Sequence, residues 1–137
     1  MAKVGEEYVP KLVDFGIACE SKSCSLLGKK YYYNCCHGRS GTPIYMAPET
    51  IVSSQSFPVS DIWSLGTTIF VLVDNKYPFY FKTNETSLIL NTIATDKPAK
   101  LTTTNFTLNE AVNSMLVKDP LKRINTDQLL SFIQRDF

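Results

Sequence analysis

The sequence lacks the features that mark membrane-spanning, secreted and nucleic-acid-binding chains. Its most apolar stretch, 65–73, is far shorter than the roughly 18 residues that a membrane-spanning helix needs. Its first residues have no apolar stretch of the kind found in a signal peptide. Fourteen lysines and arginines against 13 aspartates and glutamates leave a net charge of +1, which gives no reason to expect nucleic acid or a membrane as partner. We therefore expect a cytoplasmic or nuclear protein that is not secreted.

Cysteine is infrequent, and its spacing argues against a metal site. The four cysteines stand at positions 19, 24, 35 and 36, beside the single histidine, His37. Structural zinc sites favour C-x2-C or H-x3-H pairs, and two adjacent cysteines suit one tetrahedral metal poorly. We therefore predict no zinc. In a cytoplasmic or nuclear setting we also expect all four cysteines to be reduced thiols.

Two short motifs are the most informative residues that are present. Asp14, Phe15 and Gly16 form a D-F-G sequence, and 46–49 read M-A-P-E directly after G-T-P-I-Y at 41–45. An aspartate supplies the carboxylate oxygen that a hard cation such as Mg²⁺ prefers. D-F-G alone recurs by chance, whereas the two motifs in this order resemble those that bracket the activation segment of a protein kinase.

The downstream motifs resemble the eukaryotic protein kinase family in the same way. Residues 60–66 are similar to the D-x-W-S-x-G of that family, 77–79 to its P-F, and 115–123 to its M-L-x-x-D-P-x-x-R. Residues 126–132 resemble its last helix. The motifs agree with the family in order and spacing over 11–132, which is nearly the whole chain.

This resemblance implies a mainly α fold, the lower C-lobe of a protein kinase, with a small β-hairpin at the N-terminus. We divide the single partial kinase domain, 1–137, into a hairpin remnant (1–13), an activation segment (14–49) and a helical C-lobe (50–137). In the hairpin, 3–4 would belong to the first strand and 9–13 would form the second, with a turn at 5–7.

Apolar periodicity predicts the helices of the C-lobe. Residues 61–74 are apolar nearly all round, which predicts a buried helix. The pattern predicts further helices over 84–95 and 108–117, a last helix from Thr126, and a loop over 96–107. Asn84 and Thr126 are residue types that commonly begin a helix.

The resemblance also shows which parts of a kinase the chain lacks. None of the six glycines forms the G-x-G-x-x-G loop that covers the ATP phosphates, and no V-A-I-K lysine is present. The H-R-D loop, whose aspartate accepts the substrate proton, should precede Asp14 closely, but only 13 residues stand before it. The parent reaction would transfer the ATP γ-phosphoryl group to a protein Ser or Thr, with Mg²⁺ and ATP. We predict that the isolated chain is inactive and binds neither.

The resemblance assigns roles to two groups of residues, one in the D-F-G motif and one in the loop that docks the protein substrate. Asp14 would coordinate Mg²⁺, Phe15 would pack under a helix of the absent N-lobe, and Gly16 would give the segment freedom to flip. The protein substrate would dock on three residues: Gly41, Thr42 and Pro43. Thr42 resembles the threonine that links the docking loop to the catalytic loop in Ser/Thr kinases, which favours Ser/Thr over Tyr specificity.

Four residues are expected to be structural: Glu49, Asp61, Trp63 and Arg123. Glu49 and Arg123 match a kinase ion pair that fixes the end of the activation segment. Asp61 matches the aspartate that accepts hydrogen bonds from the catalytic-loop backbone. Because that loop is absent, we expect the Asp61 carboxylate to lack its donors.

Three interpretations follow for the chain as a whole. It is a fragment of a Ser/Thr kinase, produced by truncation at an internal methionine, or it is an authentic half-lobe that acts as a non-catalytic binding or regulatory module. A degenerate, pseudokinase-like protein is the third, and the intact D-F-G, A-P-E and Asp61 motifs argue against it. As partners we expect a protein substrate or another kinase segment, and neither nucleic acid nor a membrane.

Overall fold

The computed structural model describes residues 2–4, 7–20, 22–25 and 32–136 and is mainly helical. The α-helices are α1 (Pro48–Ser53), α2 (Pro58–Asp74), α3 (Thr86–Thr95), α4 (Phe106–Met115) and α5 (Thr126–Asp136). The strands are β1 (Ala2–Val4), β2 (Glu7–Val9), β3 (Lys22–Ser25), β4 (Tyr32–His37) and β5 (Gln55–Ser56). The prediction of a mainly α fold with a small N-terminal hairpin is confirmed. No helix within the described ranges combines the length and apolar character needed to cross a membrane.

The N-terminal hairpin is shorter than the sequence predicted. Strands β1 and β2 pair antiparallel, with Ala2 opposite Val9 and Val4 opposite Glu7. The predicted second strand over 9–13 is wrong beyond Val9, because Pro10 has no N–H to donate to a neighbouring strand. Part of the predicted turn at 5–7 lies outside the described residues.

A second small sheet takes two of its three strands from the segment between Asp14 and Glu49, where no strand was predicted. Strand β4 lies at its centre, pairing antiparallel with β3 and with β5. Cys36 is opposite Ser56 in the β4–β5 pair, and the Gly38 N–H donates to the Ser54 carbonyl at 2.8 Å. These bonds attach β4 to the connection between α1 and α2. The tyrosines at the start of β4 are strong strand formers and carried a signal for it.

The helices pack around α2, and Gly66 fixes the closest approach. A Cβ atom placed at Gly66 would lie 2.7 Å from the Cβ of Met115 in α4, so any larger side chain would separate the two helices. Trp63, fully buried, lies at the centre of the largest core cluster. The buried members of that cluster are Ala47, Ile51, Trp63, Phe70, Phe79, Ile93, Leu101, Val112 and Leu116.

Asparagine side chains cap two of the helices: α4 begins two residues before the predicted start, and α5 begins at Thr126 as predicted. The Asn105 side chain accepts from the Leu108 N–H at 2.9 Å, so α4 begins at Phe106 rather than at 108. Asn125 accepts from the Gln128 N–H and Gln128 accepts from the Asn125 N–H, which together cap α5. Helix α3 begins at Thr86, after Glu85 and not after Asn84.

One face of α2 is exposed, contrary to the prediction of a wholly buried helix. Asp61, Leu65, Thr68 and Leu72 are exposed at successive turns, and Leu72 is 78% exposed. The opposite face, which contains Trp63, is buried. The periodicity correctly identified apolar residues all round the helix, but the described part of the chain supplies packing partners for one side only.

Candidate functional site

Asp14 has the backbone conformation of a tight turn and an exposed carboxylate. Its φ of 62° lies in the left-handed region, which aspartate tolerates better than most residues. The Gly16 N–H donates to Asp14 Oδ1 at 3.3 Å, and the Ala18 N–H donates to the Phe15 carbonyl. Phe15 is 69% exposed, so no described residue covers the ring. The sequence thus presents a carboxylate to solvent on a short local turn.

Glycine at position 16 leaves room for that carboxylate. A Cβ atom there would lie 3.2 Å from Asp14 Oδ1, tighter than ordinary contacts. The φ of Gly16 is outside the left-handed region, unlike those of Gly38 and Gly41. In this conformation a larger residue at position 16 would require the Asp14 carboxylate to move by a few tenths of an ångström, and the proposed freedom to flip stays a prediction.

The exposed Asp14 carboxylate suits one ligand position of a Mg²⁺ ion. Mg²⁺ is typically held by one or two carboxylates, with water and substrate phosphates completing six ligands. The described residues contain no cluster of three or more His, Cys, Asp or Glu side chains that could enclose a metal. Asp14 could therefore contribute one ligand, and phosphate oxygens or groups outside the described residues would have to supply the others.

The predicted docking residues lie on an exposed loop anchored to α2. Gly41 has a φ of 110°, and Pro43 begins a single 3-10 turn that ends at Tyr45. The Ser64 hydroxyl, from α2, donates to the Tyr45 carbonyl at 2.9 Å. Gly41 and Thr42 are exposed. The loop is thus fixed at its C-terminal end and open to solvent where Gly41 and Thr42 lie.

The loop also approaches the D-F-G turn. A Cβ atom at Gly41 would lie 3.9 Å from Ile17 Cδ1, so the two segments come within van der Waals distance. Gly41, Ile17 and Asp14 therefore lie in one exposed region of the chain. The D-F-G turn and the docking loop therefore approach each other at Ile17, three residues after Asp14.

Glu49 and Arg123 form a buried, two-pronged ion pair. Arg123 Nη1 donates to Glu49 Oε1 at 2.7 Å, and Nη2 donates to Oε2 at 2.8 Å. The Ser60 hydroxyl donates a further bond to Glu49 Oε1 at 2.7 Å. Glu49 is 7% and Arg123 3% exposed. The pair links α1 to the segment after α4, across 74 positions of the sequence.

The other contacts of Arg123 complete its hydrogen bonding. Nη1 also donates to the Val59 carbonyl, Nε to the Val117 carbonyl and Nη2 to the Lys118 carbonyl. The guanidinium carbon lies 5.0 Å from the centroid of the Trp63 ring. Arg123 thus binds groups on three parts of the chain, as five donors in a planar fork allow.

Asp61 is the predicted structural residue without a partner. Among the residues that the structure describes, no donor lies within hydrogen-bond distance of its carboxylate. Burial raises the pKa of Asp61 above its ordinary value, although the N-terminus of α2 favours an anion there. The carboxylate is therefore partly desolvated without compensation.

We expect Asp61→Asn to stabilise the chain at neutral pH. Because the folded pKa of Asp61 is above the unfolded pKa, the folded state disfavours the anion, and stability falls as pH rises through the interval between the two. Urea midpoints at pH 7 and at an acid pH below both values should show a gain at pH 7 that disappears in acid. Glu110→Gln, on an exposed turn of α4, is the control. A less stable Asp61→Asn chain at pH 7 would contradict the prediction.

An aromatic group beside the docking loop was missed by sequence reasoning. The Tyr45 and Tyr77 rings meet edge to face with centroids 6.3 Å apart, and Tyr77 meets Phe81 at 6.0 Å. Burial and the neighbouring Tyr77 hydroxyl raise the pKa of Tyr45 above its ordinary value. The high aromatic content around 77–81 was visible in the sequence, but the spacing did not show which residue faces Tyr45.

The cysteines of the activation segment differ from expectation. Cys19 and Cys36 form a disulfide, with Cα atoms 6.3 Å apart, and Cys35 is disulfide-bonded as well. The prediction of reduced thiols is wrong for these residues. It rested on the expected compartment, whereas the folding of β4 brings Cys36 next to a residue 17 positions earlier.

The fold and the site agree with a comparison against known families. The model of the protein kinase domain matches residues 3–132 of the chain. The chain belongs to the protein kinase family. Asp14, the docking loop and the Glu49–Arg123 pair all lie within the matched kinase region.

Several kinases are similar to this kinase chain over most of its length. It is 30% identical over 120 residues to cell division control protein 7 of Schizosaccharomyces pombe, covering 88% of the chain and 10% of that protein. It is 32% identical over 130 residues to the dual specificity mitogen-activated protein kinase kinase mek-1 of Caenorhabditis elegans, covering 89% and 33%. It is 31% identical over 123 residues to the serine/threonine-protein kinase KIC1 of Saccharomyces cerevisiae, covering 88% and 10%. The chain thus spans from 10% to 33% of these relatives.

Proposed function

We propose that the chain is the activation-segment and helical C-lobe portion of a Ser/Thr protein kinase. In this role it supplies Asp14 as a Mg²⁺ ligand and the loop at 41–43 as the surface on which a protein substrate docks. The observation that supports the proposal is the approach of Ile17, three residues after the exposed Asp14, to Gly41 of that loop. Relatives named as serine/threonine kinases support the choice of substrate class.

The residues of this chain would position the phosphoryl acceptor and leave the proton transfer to others. The turn at Asp14 would hold one oxygen toward the metal that neutralises the ATP phosphates. The docking loop, anchored by the Ser64–Tyr45 bond, would align the acceptor hydroxyl of the substrate. No described residue is placed to remove the proton from that hydroxyl, so we propose that the isolated chain does not turn over.

Phosphoryl transfer from labelled ATP to a mixture of Ser, Thr and Tyr peptides tests this proposal. With Mg²⁺ present, the isolated chain is expected to give no more product than Asp14→Ala. Asp96→Ala, an exposed acidic residue after α3, serves as the matched control. Turnover that Asp14→Ala abolishes and Asp96→Ala preserves would contradict the predicted inactivity. It would also favour Asp14 as a metal ligand, and labelling of Tyr peptides would contradict the Ser/Thr specificity.

The exposed face of α2 supports another kinase segment as the partner of this chain. Asp61 offers an uncompensated carboxylate, and Leu65 and Leu72 lie one and three turns further along the same face. A segment with free backbone N–H groups and apolar side chains would satisfy both. This is the pattern expected of a chain that normally folds with the rest of a kinase domain.

Dye binding distinguishes a chain that needs another kinase segment to cover α2 from a binding module that folds alone. We expect a dye specific for apolar surface to fluoresce with the chain, and Leu65→Gln with Leu72→Gln to remove most of the signal. Leu130→Gln, an exposed leucine of α5, should leave it nearly unchanged. A cooperative melt with no dye binding would instead favour a non-catalytic module that folds alone.

A further inference from the structure

The disulfide between Cys19 and Cys36 joins two parts of the activation segment that differ in their attachment. Cys36 lies in β4, which pairs with β5 and so belongs to the helical body. Its neighbour Cys35 is 2% exposed and packs against Phe57, just ahead of α2. The Cys36 end of the disulfide is therefore held in place by the sheet and the core.

Cys19, in contrast, lies in an exposed stretch that precedes β3. Residues 9–20 are exposed throughout. The hydrogen bonds that the structure shows for Asp14, Phe15 and Gly16 reach no further than Ala18. The stretch is attached to the body of the chain at three places within the described residues: the approach of Ile17 to Gly41, the disulfide from Cys19 to Cys36, and Lys22 of β3, which is opposite Cys35 of β4.

The disulfide is also accessible to a thiol reagent. Cys19 is exposed and Cys36 is half-buried, whereas Cys35 is enclosed. Exchange begins when a thiolate attacks one sulfur of a disulfide, so access to a sulfur is needed, and exposed disulfides are the labile and regulatory ones. Cys19 is the more exposed residue of the pair and is therefore the expected point of attack.

We propose that Cys19 and Cys36 are a reversible thiol–disulfide site that tethers the Asp14 turn to the helical body. A peroxide is the oxidant: one thiolate attacks the peroxide oxygen to give a sulfenic acid, and the second thiol displaces water from that sulfur. The two cysteines lose two electrons and two protons, and one hydrogen peroxide becomes two waters. A dithiol reverses the step through a mixed disulfide and is itself oxidised. The inference concerns the covalent state of the segment and holds whether or not the chain has kinase activity.

Peptide mapping tests the pairing. Trypsin releases 12–22, which contains Cys19, and 31–39, which contains Cys35 and Cys36. After peroxide treatment of the 137-residue chain, alkylation and non-reducing digestion, these two peptides should be found joined. The joined species should be lost in Cys36→Ser, retained in Cys35→Ser and reversed by dithiothreitol. Its absence from the oxidised wild-type chain, or its persistence in Cys36→Ser, would overturn the proposal.

Limited proteolysis of the wild-type chain tests the tether. Chymotrypsin should cut after Phe15 about fivefold faster in the reduced than in the oxidised chain, because an untethered segment samples open conformations more often. Cleavage after Tyr80, which is 81% exposed in the segment between α2 and α3, is the internal control and should not change. Cys19→Ser should match the reduced chain with or without peroxide. Equal cleavage after Phe15 in both redox states would show that the disulfide does not restrain the turn.

Discussion

Arg123→Met is expected to lower the free energy of unfolding by about 3–5 kcal/mol, because it leaves the buried Glu49 carboxylate without its counter-charge. The carboxylate keeps one hydrogen bond, from Ser60, and the side chain is 7% exposed. Water cannot replace the two lost bonds at that depth. Three backbone carbonyls that Arg123 binds would lose a donor as well. Urea denaturation followed by circular dichroism would measure the loss.

Two further variants separate charge from shape at this site. Arg123→Lys keeps the charge but cannot make the two parallel bonds to Glu49, so we expect an intermediate loss. The double change of Glu49→Leu with Arg123→Met removes both charges, and we expect it to be more stable than Arg123→Met alone. A loss below about 1 kcal/mol for Arg123→Met, the value of an exposed ion pair, would contradict the burial argument.

The sequence predicted this ion pair but not its surroundings. The resemblance named Glu49 and Arg123 as partners, whereas the bonds to Ser60 and the stacking on Trp63 depend on how α1 and α2 meet. Helix positions followed from apolar spacing to within a few residues, since a buried face imposes its period on the sequence. The start of α4 differs from the prediction because Asn105 caps the helix, and the spacing of apolar residues does not show which nearby polar residue forms the cap.

Sheet pairing in the activation segment was the largest omission. Strands β3, β4 and β5 are two to six residues long, and their pairing depends on contacts between residues far apart in sequence. The Cys19–Cys36 bond follows from the same folding and could not be chosen from four cysteines, which allow three complete pairings. The exposure of one face of α2 could not be predicted either, because apolar periodicity does not show whether a packing partner is present.

Trp63→Ala is expected to be the other severe variant, with a loss of about 3–5 kcal/mol for a large aromatic side chain removed from a core. Trp63 is 0% exposed, and its ring centroid lies 6.2 Å from that of Phe79. The indole Nε1–H has no partner among the described residues. Removing the ring would therefore open a cavity at the centre of the largest cluster while releasing one unsatisfied donor.

Trp63→Phe separates the contribution of the aromatic ring to stability from the cost of the unpaired indole N–H. Phenylalanine keeps an aromatic face toward Arg123 and removes the unpaired N–H, whose burial costs about 1–3 kcal/mol. We therefore expect Trp63→Phe to lose clearly less stability than Trp63→Ala, as judged by urea midpoints from circular dichroism. An equal loss would mean that the volume of the second ring, and not the aromatic face, determines the stability at this position.

The contact of Trp63 with the Arg123 guanidinium joins this prediction to the first one. The guanidinium carbon of Arg123 lies 5.0 Å from the centroid of the Trp63 ring, so the two side chains are in contact. The losses in stability from Trp63→Ala and Arg123→Met should therefore not add, and a double-mutant cycle should give a coupling of about 0.5–3 kcal/mol. The control is a cycle in which Leu129→Ala replaces Trp63→Ala and is combined with Arg123→Met. Leu129 is buried in the separate α4–α5 cluster, so the two losses in this cycle should be nearly additive. Additivity in the Trp63–Arg123 cycle would show that the ion pair and the central core are stabilised independently, although Arg123 contacts both.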